Sequence, residues 1–190
     1  MREVVAEPLP IHPLTVHDYH AMAEAGILTE DDHIELIDGQ LVKKMTIGPK
    51  HIRIVNILTE LAVSRARGAV EVSIQNPARL NLYNEPEPDV VLLKADRDVT
   101  QVPKADDVLL LVEVADASVG YDRTIKLPRY AAAGIPEVWI VNIPEERLEC
   151  YRRPSSTGYT VTQILGGSDL AGAELIPALG EISVDMLFKS

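Results

Sequence analysis

The stretch that decides the fold is VLLLVEVADAS, residues 108–118. Its continuous apolar run is typical of a strand buried on both faces of a sheet, yet Glu113 lies inside it. A buried carboxylate without a partner is costly, so such a group normally finds a partner, binds a metal or stays protonated. Glu113 is therefore either a solvated residue near a strand end or part of a functional site.

A second carboxylate lies upstream in NEPEPDVVLL, residues 84–93. Asp89 begins an apolar strand 24 residues before Glu113, which leaves room for a strand, a loop and a return strand beside it. Two carboxylates on one face of neighbouring strands would form the hard-oxygen site that Mg²⁺ or Mn²⁺ prefers, completed by water and substrate phosphate. The alternative is that Asp89 only forms a turn after Pro88.

The chain after Glu113 predicts a helix with three polar residues on one face. Asp122, Lys126 and Tyr130 follow each other at intervals of four residues, and side chains so spaced are neighbours on a helix surface. Lys126 could therefore reach back to a phosphate or to an attacking water. In the alternative interpretation Lys126 is solvated, and Tyr130 is a core residue whose hydroxyl has one partner.

Two further candidates lie earlier in the chain. Glu35, in the stretch HIELID, either joins the acidic cluster or pairs with Lys43 or Lys44. His51 lies on the apolar stripe of a predicted helix and points toward the interior. It is either a core histidine or an accessory residue of the same site.

The remaining patterns predict a mixed α+β fold. We expect strands over 70–75, 79–83, 89–93, 108–115 and 137–143, and hairpins over 33–45, turning at Asp38-Gly39, and over 147–165. We expect helices over 15–25 and 49–68, a helix within 121–133 that Pro128 kinks or whose regular part begins near Lys126, and a last turn over 184–188. The strand–helix–strand unit over 108–143 predicts a parallel pair. The sheet is therefore mixed and flanked by helices, with added N-terminal and C-terminal hairpins.

Length and composition limit the class of protein. The 190 residues fit one domain over 1–190, with 1–14 as an irregular arm, and the hydrophobic share of 46% is typical of a folded chain. No apolar run reaches the roughly 18 residues of a membrane span, and the N-terminus lacks the apolar core of a signal peptide. Cys150 is the only cysteine, so no disulfide forms within the chain. These features favour a cytoplasmic protein.

The charge balance restricts how the chain binds nucleic acid. It carries 18 Lys and Arg against 29 Asp and Glu, a net charge of −11, whereas non-specific nucleic-acid binders usually present a basic face. One Trp and one Phe argue against an aromatic stacking platform. If DNA is the substrate, the basic residues must be concentrated in one cleft. A Rossmann-type nucleotide site is excluded, because no glycine-rich loop joins a strand to a helix.

Several of these stretches together resemble a known family. PEPDVVLL, LVEVADAS and YDRTIKLPRYAAAGIPEVWIVN are similar to the Uma-two family, a restriction-endonuclease-like group within the PD-(D/E)xK nuclease superfamily. The stretches IELIDGQLV and SIQNPARL are similar to that family as well. The resemblance extends over roughly residues 15–187, and its motifs are specific only in combination.

The resemblance implies roles for individual residues. Asp89 and Glu113 match the family's metal ligands, Lys126 matches a lysine in the following helix, Glu35 matches a glutamate of the first hairpin, and His51 matches a histidine at the start of the long helix. The chain departs from the pattern at Ala115, where the superfamily carries its lysine two residues after the glutamate. It also has Ala117 where serine is frequent, and Asn142 where aspartate usually closes the strand.

Residues and resemblance together predict a metal-dependent endonuclease of restriction-endonuclease-like fold. It would cleave phosphodiester bonds of nucleic acid, with DNA as the expected substrate and Mg²⁺ or Mn²⁺ as cofactor, and a homodimer would suit the cutting of two strands. Asp122, Tyr130 and His51 would be accessory to Glu35, Asp89, Glu113 and Lys126. The alternative is an inactive module that keeps the fold for binding, assembly or regulation, an interpretation that Ala115 and the acidic surface favour.

Overall fold

The N-terminal part of the chain forms a short helix, a hairpin and a long helix. The computed structural model describes residues 11–189, so part of the predicted arm lies outside the described residues, and 11–14 form neither helix nor strand. The elements are α1 (Val16–Glu24), β1 (Ile34–Ile37), β2 (Gln40–Lys43) and α2 (Pro49–Arg65). Thr15 and Asp18 form a capping box at the start of α1.

The turn of the first hairpin is the predicted Asp38-Gly39 pair. Both residues have positive φ, 50° and 69°, as the tight turn of a two-residue hairpin loop requires. The sequence prediction is confirmed here, and β1 and β2 form a small antiparallel sheet of their own.

A mixed six-stranded sheet forms the centre of the molecule. Its strands are β3 (Val70–Ile74), β4 (Val90–Lys94), β5 (Val108–Ala115), β6 (Glu137–Asn142), β7 (Arg147–Ser155) and β8 (Gly158–Gly166), and they lie side by side in that order. Neighbouring strands are antiparallel except β5 and β6, which are parallel. The predicted parallel pair is thus confirmed. The second predicted hairpin is β7–β8, at one edge of this sheet.

Helices cover both faces of the sheet. On one face α2 packs together with the C-terminal elements β9 (Leu170–Ala171), β10 (Ile182–Ser183) and α5 (Val184–Phe188) over a core that includes Leu110, Val112 and Trp139. On the other face the helix after β5 packs over a second core that includes Leu111 and Ile140. No helix of the described part is long and apolar enough to cross a membrane.

The helix after β5 is irregular in its middle. It begins as α3 (Val119–Tyr121), widens into a π-helical turn (Asp122–Lys126) and continues as α4 (Leu127–Ala132). Pro128 lies in the first turn of α4, where a missing N–H costs little. The regular helix therefore begins next to Lys126, one of the two predicted possibilities, with helical turns before it.

The strand predicted over 79–83 is wrong. Residues 79–85 contain only isolated bridges, among them Arg79 with Lys104 and Asn81 with Asn84. The Asn81 side chain accepts hydrogen bonds from the Tyr83 backbone (2.9 Å) and the Asn84 side chain (3.1 Å). Such local side-chain bonds compete with a strand ladder and favour a turn.

Candidate active site

Glu113 is buried on the central strand β5. Side chains alternate along a strand, so Glu113 shares the face of Leu111 and Ala115, which is the face covered by α4. Its Oε1 atom accepts hydrogen bonds from Lys126 Nζ (3.2 Å) and Tyr130 Oη (2.5 Å). Burial raises the pKa of Glu113 to about 8, although the Lys126 ammonium lowers it. The solvated alternative is therefore wrong, and Glu113 is a buried acid whose ionisation is disfavoured by its surroundings.

Asp89 immediately precedes β4 and lies at the same end of the sheet as Glu113. The β4–β5 ladder pairs Val90 with Val112, so its next step places Asp89 opposite Glu113. Asp89 Oδ2 accepts the backbone N–H of Val114 at 2.8 Å, and Oδ1 lies 3.0 Å from His51 Nε2. The Asp89 charge contributes to the raised pKa of Glu113. The two carboxylates are thus electrostatic neighbours, as the spacing along the sequence predicted.

Lys126 lies between two buried carboxylates. Its Nζ atom is 3.2 Å from Glu113 Oε1 and 3.1 Å from Glu35 Oε2, and its side chain is only 8% exposed. Burial alone would disfavour the charged form, but the carboxylates of Glu113, Glu35 and Asp122 together raise the pKa of Lys126 above its ordinary value. Lys126 is therefore a fixed ammonium, and the solvated interpretation of it is wrong.

Glu35 reaches this lysine from the small β1–β2 sheet. Its Oε2 atom accepts the backbone N–H of Glu87 (3.2 Å), and its Oε1 atom accepts the hydroxyl of Tyr121 (3.4 Å). The predicted pairing with Lys43 or Lys44 does not occur, because Glu35 pairs with Lys126 and Lys44 pairs with Glu87. The β1–β2 hairpin thus places Glu35 next to Lys126, which lies far along the chain.

The three accessory candidates surround the same cluster. Asp122 is buried and accepts the Ser118 hydroxyl at 2.7 Å, and burial raises its pKa despite the nearby ammonium of Lys126. Tyr130 is buried against Glu113, and desolvation together with that carboxylate raises its pKa. His51 is 6% exposed, and its buried Nδ1 atom has no hydrogen-bond partner among residues 11–189. The structure therefore brings all seven candidate residues to one place.

All of these residues except Tyr130 line a cavity of about 230 Å³. The cavity is also lined by the connection between β2 and α2 and by residues of the segment from Asp116 to Asp122. Gln75, Glu87 and Tyr121 also line it, and no sequence pattern predicted a role for them. All three do lie inside family-like stretches, Gln75 in SIQNPARL, Glu87 in PEPDVVLL and Tyr121 in YDRTIKLPRYAAAGIPEVWIVN, which was the one available signal. The cavity gives a ligand access to otherwise buried acids.

The oxygen atoms of the site suit a hard divalent cation. Within the described residues Glu113 accepts hydrogen bonds at Oε1 alone, so its Oε2 keeps its lone pairs. Asp89 Oδ1 has His51 and, at 3.5 Å, the Gln75 amide as partners, and Oδ2 has the Val114 N–H, so Oδ2 keeps a lone pair for a cation. No three His, Cys, Asp or Glu side chains of residues 11–189 are gathered closely enough to hold a metal by themselves. Water and substrate oxygens would have to complete the coordination of any cation, as is usual for Mg²⁺.

The fold and this acidic cavity define a class of protein. The mixed sheet with helices on both faces is a restriction-endonuclease-like fold. A crystal structure from Anabaena variabilis ATCC 29413, described as a "putative nuclease belonging to DUF820", has this fold with a TM-score of 0.74. That structure is 14% identical in sequence, and the alignment covers 93% of this chain and 98% of the other.

A match over almost the whole sequence shows which family the chain belongs to. The chain belongs to the Uma2 (Uma-two) family, described as "Putative restriction endonuclease", whose model matches residues 16–185. No curated protein matches the chain. The resemblance drawn from the motifs is therefore confirmed for the family and for the fold.

Proposed function

We propose that this protein is a divalent-metal-dependent nuclease that hydrolyses phosphodiester bonds of nucleic acid, with DNA as its substrate. The observation that carries the proposal is the placement of Glu113 and Asp89 at the floor of an open cavity beside the fixed ammonium of Lys126. Membership in a family described as restriction endonucleases supports the same reaction class. Burying such charge is costly for the fold, which favours a functional reason for it.

Asp89 and Glu113 would hold the cation, because both offer carboxylate oxygens to the cavity. A bound Mg²⁺ or Mn²⁺ would neutralise charge on the scissile phosphate and make a coordinated water more acidic. His51 Nε2 and the Val114 N–H fix the two oxygens of Asp89 at 3.0 and 2.8 Å. Tyr130 fixes Glu113 in the same way. These donors therefore orient the carboxylates before a ligand arrives.

Lys126 would contact the phosphate or the attacking water. Its raised pKa keeps it protonated, so it acts by electrostatic stabilisation and hydrogen bonding rather than as a general base. Glu35 keeps the ammonium in place from the side opposite Glu113, while Asp122 adds a further negative charge that favours its protonated form. Lys126 thereby takes the role of the lysine that is missing at Ala115.

Metal binding and cleavage test the proposal separately. Calorimetry with Mn²⁺ should detect binding to the wild type and a loss of at least tenfold in affinity in Asp89→Asn and Glu113→Gln. Glu60→Gln is the matched control, since Glu60 is an exposed acid on α2 outside the cavity. Equal binding by all four proteins would remove the metal site. Cleavage of DNA at low salt should require Mg²⁺ or Mn²⁺ and disappear in Glu113→Gln.

A second candidate is a nuclease-fold module that binds without cleaving. The observation that favours it is that the Lys126 ammonium lies 3.2 Å from Glu113 Oε1 and 3.1 Å from Glu35 Oε2, so the protein itself supplies a cation to these acids. Such a module would bind nucleic acid or a protein partner with no turnover. If Mn²⁺ binds but a broad panel of DNA and RNA substrates stays intact, the module is the better description.

We also propose, as a separate and weaker part of the same function, that the protein forms a homodimer. Two sites related by a two-fold axis would suit the cutting of two strands, whereas cutting one strand needs a single site. Sedimentation of the protein at several concentrations decides between monomer and dimer. A monomer that cleaves DNA would remove the dimer and leave the nuclease proposal standing.

A further inference from the structure

One segment beside the cavity has a charge opposite to that of the rest of the chain. Between Asp38 and Glu60 there is no acidic residue, although the chain as a whole carries 29 Asp and Glu against 18 Lys and Arg. The same interval contains four basic residues, namely Lys43, Lys44, Lys50 and Arg53. Its part from Lys43 to Gly48 lines the cavity. We call residues 43–50 the basic rim.

Two cations of the basic rim are free to bind a ligand. Lys44 pairs with Glu87, but Lys43 and Lys50 are exposed and form no ion pair or side-chain hydrogen bond within the described residues. Lys43 acts electrostatically on Asp32, whose carboxylate already accepts hydrogen bonds from Thr29 at 2.7 and 2.9 Å. The rim therefore presents two uncompensated positive charges on an otherwise acidic protein.

The basic rim also presents apolar surface to the cavity. Met45 and Ile47 are 51% and 47% exposed, and both line the cavity wall. They lie between Lys44 and Lys50 on one short connection, so a ligand with both an anionic and an apolar part would match it. A nucleotide strand has that composition, because its phosphates are charged and the faces of its unpaired bases are not.

The depth of the acids restricts which nucleic acid can reach them. Glu113 is 4% exposed and Glu35 is 1% exposed, and both line a cavity of about 230 Å³ whose lining includes residues 43–48 of the basic rim. A single strand can lower one phosphate into such a space. A duplex is rigid and wide, and its bases are stacked and paired, so their faces are not available to Met45 and Ile47.

We propose that the basic rim binds a single strand of DNA, with Lys43 and Lys50 on phosphates and with Met45 and Ile47 against an unpaired base. The protein thereby selects single-stranded over duplex DNA. This inference rests on the proposed nuclease function for its biological meaning, but the binding itself does not require cleavage.

Binding to DNA without metal tests the inference directly. The probes are a fluorescein-labelled oligonucleotide of about twelve nucleotides without self-complementarity, within the range that single-strand sites occupy, and its duplex. Fluorescence anisotropy of the full-length protein in EDTA should show single-strand binding at least about tenfold tighter than duplex binding, since each unpaired base adds binding energy. Equal or tighter binding to the duplex overturns the inference, and so does the absence of binding at low salt.

Variants of the basic rim identify the surface. Lys43→Gln/Lys50→Gln should weaken single-strand binding about tenfold and flatten the slope of log K against log salt by about 0.7 for each phosphate that is no longer neutralised. Met45→Ser/Ile47→Ser should weaken binding severalfold with no change in that slope. Lys94→Gln is the charge-matched control, because Lys94 is an exposed lysine at the opposite end of β4 from Asp89. Ile164→Ser, at an exposed isoleucine of β8, is the apolar control.

The outcomes separate this inference from the nuclease proposal. If the rim variants bind as well as Lys94→Gln and Ile164→Ser, the basic rim is not the binding surface. If single-strand binding depends on the rim but no DNA is cut with Mg²⁺ or Mn²⁺, the rim stands and the nuclease proposal fails. If single strands and duplexes are cut with equal kcat/KM, the nuclease proposal stands and the selection of single strands fails.

Discussion

Two buried glutamates, Glu113 and Glu149, lie in one row of the central sheet and differ in the hydrogen bonds that their carboxylates accept. Glu113 on β5 pairs across the parallel ladder with Ile140, and Ile140 pairs across the next ladder with Glu149 on β7. Residues paired in this way point to the same face of a sheet. The two carboxylates are 4% and 1% exposed. Each receives a cation from the same π-helical turn, Lys126 for Glu113 and Arg123 for Glu149.

The difference lies in how many donors each carboxylate receives. Both oxygens of Glu149 are occupied, by Arg123, by the Tyr151 hydroxyl at 2.7 Å and by the Asn142 amide at 3.1 Å. Although burial raises it, these hydrogen bonds bring the pKa of Glu149 below its ordinary value, whereas burial raises the pKa of Glu113 to about 8. A buried acid satisfied by the protein is structural, and one left incomplete beside a cavity is suited to bind a ligand.

The largest expected effect separates the two cations. Lys126→Met should lower cleavage turnover by roughly 10²-fold or more, the scale of losing one positioned electrostatic donor, and Lys126→Arg should restore only part of it. Arg123→Met should leave turnover close to that of the wild type while lowering the melting temperature. Single-turnover rates, measured below the melting temperature of each variant, provide the test. A similar loss of turnover in both variants would make the two cations equivalent.

The second effect concerns the stability that Glu149 supplies. Glu149→Gln should lower the free energy of unfolding by about 2 kcal/mol at pH 7, because charged hydrogen bonds to Arg123 are lost. The pKa of Glu149 is lowered in the folded protein, so its stabilising contribution is present above its ordinary pKa and disappears as the pH falls through the lowered one. Urea unfolding at pH 7 and pH 3 checks this. An unchanged difference at both pH values would contradict it.

The third effect concerns metal affinity and pH. A cation can bind Glu113 only after its proton leaves, and the pKa of Glu113 is raised to about 8. The affinity for Mn²⁺ should therefore rise about tenfold per pH unit up to about pH 8 and then level off. Calorimetry between pH 6 and pH 9 measures this profile. Glu149→Gln should keep the profile, and a wild-type profile that is flat over this range would show that Glu113 is already ionised.

The smallest effect is a gain in stability. Burial raises the pKa of Glu113 from 4.5 to about 8, so the wild type without metal loses stability as the pH rises between those values. Glu113→Gln removes that loss but also gives up the charged hydrogen bond from Lys126. The net gain over the wild type at pH 9 should therefore be only about 1 kcal/mol, a rise of about 2–4 °C in Tm for a chain of this length. At pH 4.5 the two should melt together. A variant less stable at pH 9 would make Glu113 structural, like Glu149.

Of these two glutamates, only Glu113 was recognisable from the sequence as part of a candidate site. Three patterns led to the cluster around Glu113. They are the buried carboxylate in VLLLVEVADAS, the acid at the start of the DVVLL strand, and the helix face formed by Asp122, Lys126 and Tyr130. Periodicity reports which residues point inward, and an acid in an apolar run is therefore conspicuous. Glu149 lies in RLECYRR, where alternation with charged residues looks ordinary for a surface strand.

The rest could not be predicted because it depends on which distant segments meet. The pairing of Glu35 with Lys126 joins residues 91 positions apart, and nothing local records it. The failed strand over 79–83 had a strand-like pattern, but Asn81 bonds to its neighbours instead. The π-helical turn also escaped prediction, since a single turn of different pitch is too short to change the apolar period.

That π-helical turn has a consequence for how the chain tolerates change in length. A π-helical turn is equivalent to one residue inserted into an α-helix, and each residue of an α-helix accounts for about 100° of rotation. Deletion of the exposed Thr124 would therefore give a shorter and more regular helix. Asp122 and Tyr130 would then be seven residues apart, a rotation of about 700° or nearly two full turns, so they would stay on one face. The same deletion in a regular α-helix would rotate its two halves by about 100°. A descendant that lost the inserted residue would thus keep its sheet, its hydrophobic core and the convergence of Asp122, Lys126 and Tyr130.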